Sequence, residues 1–138
     1  MVVCKRIQVD TQGHGDTRDL TQDVQESVSR SGLTTGTVTL FVVGSTAALT
    51  TLEFEPGAVR DLQEALERIA PKDGIYRHHL RWGDDNGHSH VRAALVGPSL
   101  TIPFVEGKLT LGTWQQIILV DFDTRPRKRD VVVQIMGE

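Results

Sequence analysis

The chain has 138 residues, of which 38% are hydrophobic and 24% charged, with a formal net charge of -3. That is the size and make-up of one folded domain, spanning 1–138. It excludes a basic nucleic-acid-binding field, a membrane-length apolar run and an N-terminal secretory core. A single cysteine, Cys4, excludes an internal disulfide and fits a cytoplasmic setting.

In chain order, VVCKRIQV places Val3, Lys5, Ile7 and Val9 on one side of a strand over 2–9. TQGHGDT is rich in turn formers. DTRDLTQDVQESVSRSG predicts a helix over 16–32: Leu20, Val24 and Val28 recur every fourth residue, Asp16 or Thr17 can cap the start, and Gly32 can end it. TGTVTLFVV predicts a strand, and STAALTTLEFE a second extended run after Gly44. Pro56 opens a second helix with an apolar stripe of Val59, Leu62, Leu66 and Ile69, and Pro71 stops it.

The remainder reads as β: VRAALVG, LTIPFV, LTLGTWQQIILVDFD and DVVVQIMG, joined by short turns that favour antiparallel pairing. Pro103 demotes its strand to an edge or marks a bulge. The expectation is an α+β fold: two helices against mostly antiparallel, sandwich-like sheets.

Four stretches carry chemistry. In DDNGHSH, read as extended, Asp84, Asn86, His88 and His90 fall on one face. His88 and His90 at i and i+2 of a strand can hold one metal ion or one phosphate, and His78 offers a third ligand. Three protein ligands with an open position is the catalytic zinc pattern, and imidazole moves protons near neutral pH. The alternative is a plain turn, since Asp, Asn, Gly and Ser all favour turns. In DFDTRPRKRD, Arg125, Arg127 and Arg129 can each clamp a phosphate, or can pair internally with Asp121, Asp123 and Asp130. In LGTWQQ and GSTA, Trp114, Gln115 and Thr46 can touch a ligand, with Glu53 a possible acid or base. The competing reading makes Trp114 core and GSTA a glycine bend.

These pieces, in this order, resemble the YjbQ-like family, described also as secondary thiamine-phosphate synthases. The resemblance rests on DLTQDVQESVSRSGLTTG, GSTAALTTLEFEPGAVRDL, DDNGHSHVRAALVGPSLTIPFVEGKLTLGTWQQIILVDFD and RPRKRDVVVQIMGE. It implies a cytosolic homotrimer that takes a phosphorylated small molecule. It also implies a divalent metal, zinc or magnesium, at a site near a subunit boundary. The implied reaction joins a pyrimidine methyl diphosphate to a thiazole phosphate and releases pyrophosphate.

The implied site is His78, Asp84, Asn86, His88 and His90, with His78, His88 and His90 as metal ligands. Thr46, Glu53, Trp114, Gln115 and the arginine loop would hold the anion. The other reading is a non-catalytic trimer that binds a metal or a phosphometabolite. Two positions depart from the family pattern: Gly44-Ser45-Thr46 stands where many relatives have His before Thr, and Gly83 where some carry a further His.

Overall fold

In the computed structural model, which describes residues 1–138, eight strands and four helices follow one another. They are β1 (Val2–Thr11), β2 (Asp16–Asp19), α1 (Thr21–Ser31), β3 (Gly36–Val43), β4 (Ala47–Leu52), α2 (Pro56–Ile69), α3 (Arg77–Trp82), α4 (Gly87–Val96), β5 (Ser99–Val105), β6 (Lys108–Leu109), β7 (Gln116–Asp121) and β8 (Arg127–Gly137). Every strand pairing is antiparallel. A five-stranded sheet runs β1-β8-β3-β5-β6 and a three-stranded sheet runs β2-β7-β4. The α+β architecture expected from the sequence is present, with two helices beyond the two expected.

The core forms in two layers because β7 is apolar on both faces. Ile117 and Leu119 point into a cluster with Val38, Leu40, Val131, Val133, Ile135 and α1's Val24 and Val28. Ile118 and Val120 point the other way, onto Leu66 of α2 and Ala93 of α4. Alternation with period two sends neighbouring β7 side chains to opposite faces, so each face must be covered. The three-stranded sheet is therefore the middle layer, with the larger sheet on one side and α2 and α4 on the other.

Four local readings change. Residues 16–19 are a strand on β7, and the helix begins only at Thr21. There Asp19 accepts hydrogen bonds from the backbone N–H and hydroxyl of Thr21, 2.9 and 2.6 Å. Gly32 does end that helix, in the left-handed region at φ 74°. Ile69 is exposed, so α2 buries only the middle of its expected stripe. Trp114 is 74% exposed in a turn before β7, neither core nor strand. The segment 87–96, expected to carry the strand VRAALVG, is helix α4.

Pro103 lies in regular register on β5, which is an edge only where the short β6 does not cover it. Its carbonyl accepts from the Thr110 N–H and hydroxyl on the outer side of β5, 3.1 and 2.9 Å. Its N–H-less nitrogen faces that same outer side, where β6 pairs only with Phe104 and Val105.

Candidate functional site

Helix α4 is the element on which the site turns. Its inward stripe is Ser89, Ala93 and Val96, and the Ser89 hydroxyl donates to the Phe122 carbonyl at 2.5 Å. At about 100° per residue, His88 and His90 lie roughly 200° apart around the axis. They flank that stripe on opposite sides and line different cavities. This corrects the expected convergence of His78, His88 and His90: i and i+2 share a face on a strand and diverge on a helix. No three His, Cys, Asp or Glu side chains are grouped in a way that could hold a metal ion.

What does assemble is a cavity of about 430 Å³ lined by His78, Asp84, Asn86 and His90 from the α3–α4 segment. Its other wall is Gly44 to Thr46, Asp123, Arg127 and Arg129, with Trp82 at its margin. The His78 and His90 rings lie 4.4 Å apart, tilted by 39°. Asp84 approaches His78 Nδ1 at 3.3 Å. The turn between α3 and α4 is held by Gly83, in the left-handed region at φ 66°, and by His79 Nδ1 bonding to the Asp84 carbonyl. A residue with a Cβ would be strained at Gly83, which accounts for glycine at this position in the present chain.

Behind the cavity lies a buried charged network. Arg129 grips Asp121 with two hydrogen bonds, Nε at 2.7 Å and Nη2 at 2.9 Å, and also donates to Thr46 Oγ1 at 2.6 Å. Thr46 in turn donates to Asp123 Oδ2 at 2.8 Å. Asn86 and Arg127 donate to the same oxygen, at 3.3 and 3.2 Å. Burial pushes the Asp123 carboxyl up, but these hydrogen bonds and the Arg127 charge more than reverse it, so it stays ionised below the usual carboxylate range. His90 is pushed the other way: burial first, then His78, hold its imidazole neutral against the pull of Asp84 and Asp123.

Three buried polar atoms on this cavity have no hydrogen-bond partner: His78 Nδ1, Asn86 Oδ1 and Asp123 Oδ1. The Asp84 approach to His78 lacks hydrogen-bond geometry. Leaving such an atom unpaired costs about 1–3 kcal/mol, so three around one cavity mark a place built to meet a ligand.

Of the other expected site residues, Thr46, Arg127 and Arg129 line this cavity, and Glu53, Trp114, Gln115 and Arg125 do not. Arg129 turns Nε and Nη2 to Asp121 and Thr46, and Thr46 uses its hydroxyl inside the network. Arg127 keeps a partly exposed edge on the cavity. Arg125 is exposed and outside it. Glu53, Trp114 and Gln115 lie at the far end of the middle sheet. Ala47 of β4 pairs with Asp121, beside the cavity, whereas Leu52 pairs with Gln116. Five residues of strand at about 3.3 Å each put roughly 17 Å between them. There Gln115 serves the turn, accepting from the Gly112 N–H and donating to Thr51.

Sequence reasoning had Asp123 only as an internal partner for arginine and missed Trp82. Neither is signalled by spacing in the chain: Asp123 lies just beyond the end of β7 and Trp82 at the end of α3.

The geometry defines a small α+β domain with a polar, histidine-lined cavity beside a buried Arg-Asp network. The family model described as UPF0047 protein YjbQ-like matches residues 5–138, and the chain belongs to that family. A UPF0047 protein of Synechocystis is 38% identical over 116 residues, 83% of this chain and 79% of its own. One from Methanocaldococcus jannaschii is 32% identical over 142 residues, 100% and 99% of the two chains. Among solved structures, a YbjQ-like protein of unknown function from Sulfolobus solfataricus P2 superposes with a TM-score of 0.94 at 35% identity, covering 100% of this chain and 99% of that one. A hypothetical protein from Aeropyrum pernix K1 does so at 0.91 and 33%, covering 99% of each.

Proposed function

We propose that the His78–His90 cavity is the active site of a cytosolic transferase acting on phosphorylated small molecules, of the thiamine-phosphate synthase type. The observation that carries this reading is the set of three unpartnered buried atoms beside two imidazoles and the Arg127 guanidinium. The C–O bond to the diphosphate breaks with its electron pair going to the pyrophosphate oxygen, and the thiazole nitrogen lone pair forms the new C–N bond. No proton need move in that step. The burden is charge on the leaving group, and pre-placed donors lower its cost. Arg127 and the imidazole N–H groups would meet those oxygens.

His78, His90, Asp84 and Asp123 are not grouped so as to hold a metal ion by themselves, so a divalent cation would arrive bound to the diphosphate and supply further charge neutralisation there. His88, on the other side of α4, takes no part. Assembly as a homotrimer belongs to this reading, supported by exposed Phe41, Val43 and Met136 on the outer face of the five-stranded sheet.

The test is incubation of the purified protein with both substrates and magnesium, followed by detection of thiamine phosphate. Product is expected from the parent chain and a loss of about 100-fold or more from His90→Ala and Arg127→Ala, with unchanged circular dichroism. Ligand binding without turnover would sink the enzyme and leave a phosphometabolite-binding protein. Undiminished turnover in His90→Ala would sink the site.

A further inference from the structure

The other side of α4 carries a second cavity, of about 570 Å³, between that helix, α2 and the 14–15 turn. None of its lining residues belongs to the His78–His90 cavity. His88 lies on its wall, 3% exposed, and its Nδ1 has no hydrogen-bond partner.

The chemistry at His88 can be worked out from its neighbours. Ser89 gives its only proton to the Phe122 carbonyl, so where its oxygen faces His88 Nε2, at 3.4 Å, it can only accept. We assign the ring proton to Nε2, the tautomer that satisfies this contact. Burial, then the charges of Arg92 and Lys72, keep the imidazole neutral, while Glu67 and the Asp85 carbonyl pull weakly the other way. Nδ1 is thus a bare lone pair in need of a donor.

The charges on the same wall are mostly matched. Arg92 bonds to Glu67 at 2.5 Å and to the Ala70 carbonyl at 2.9 Å. Arg60 pairs with Glu64 at 3.1 Å. Lys72 lines the cavity and makes no ion pair. What is left over is a buried acceptor, His88 Nδ1, and a cation without an ion-pair partner, Lys72.

We propose that this cavity is a second ligand site, separate from the His78–His90 cavity, for a small anion that also carries an O–H or N–H donor. The donor goes to His88 Nδ1 and the negative group to Lys72. Monohydrogen phosphate has both. Phosphate monoesters and hydroxycarboxylates share the chemistry.

The experiment follows the histidine Cε1–H resonances of the full-length protein at pH 7.5 while inorganic phosphate, glycerate or acetate is added. The proposal expects a saturable shift of the His88 signal with phosphate, with glycerate or with both, and a much weaker one with acetate, which lacks the donor. Which of the first two binds tighter tells the phosphate source from the carboxylate source. Lys72→Ala should weaken the His88 response at least 5-fold and leave any response of His78 and His90 alone, whereas His90→Ala should leave the His88 response intact. An unmoved His88 signal, or one that acetate shifts as strongly, overturns the proposal. So does a His88 response that disappears with His90→Ala and survives Lys72→Ala. Because the readout is binding at His88, the outcome is independent of whether the other cavity turns over any substrate.

Discussion

The rings of His78 and His90 face each other at 4.4 Å, and the charge on one opposes charge on the other. His90 is held below the ordinary histidine value by burial first and by His78 second. Replacing His78 by Ala both removes that opposing charge and opens the wall, and both effects act in the same direction. The His90 midpoint, read by NMR titration, should rise toward the ordinary value of about 6.5. A midpoint that stays put or falls would show that the two rings do not interact as described.

Arg129 and Arg125 look alike in the sequence and should behave very differently. Arg129→Met leaves the fully buried Asp121 without its counter-charge and with two of its four hydrogen bonds, those from the Thr11 hydroxyl and the Asp123 N–H. Removing one partner of a buried ion pair typically costs about 3–5 kcal/mol. Arg125→Ala at the exposed turn should stay within about 0.5 kcal/mol of the parent. Urea melts of the two variants check this, and equal midpoints would contradict the structural role given to Arg129.

Acid should weaken the fold before any carboxylate titrates. His88 and His90 both have folded values below those of the unfolded chain. On acidification the unfolded chain binds protons first, so stability is full above about 6.5 and falls as pH drops through the lower folded values. The unfolding free energy should decline from pH 7 to pH 5. In His88→Gln/His90→Gln that decline should flatten, and an equally steep slope in the double variant would remove the histidines as its cause.

Gly87 tests how tightly α4 is seated. A Cβ there would lie 2.5 Å from Tyr76 Cβ and 2.7 Å from its Cγ. Those atoms sit near the backbone, so the 71–76 segment would have to move rather than a flexible side-chain tip. Gly87→Ala should cost about 1–3 kcal/mol, although alanine favours helix. A neutral or stabilising result in thermal melts would mean the segment yields easily.

How much of this was legible depends on which residue speaks for each element. The alternation in VVCKRIQV, the Pro56 start and the Gly32 stop are local signals that act through the backbone itself, and the structure keeps them. Helix α4 was hidden because its buried stripe is Ser89, Ala93 and Val96, small or polar residues that leave little apolar period to read. Its clue was composition: two adjacent alanines favour a helix over a strand. With α4 read as a strand, His88 was drawn to the wrong cavity. The polar identity of the site was visible all the same, since His78, Asp84, Asn86 and His90 do share a cavity. Asp123 and Trp82 come to it through tertiary contacts, which no spacing within the chain encodes.

The outward nitrogen of Pro103 bears on how this molecule behaves when crowded. A sheet grows by recruiting a fresh strand onto unpaired amides, and at this position there is no proton to offer. Beyond the two residues that β6 shields, an arriving segment would find a broken ladder. Fibre-like polymerisation across that rim is thus disfavoured by the loss of one hydrogen, at a position where the fold gives up nothing for it.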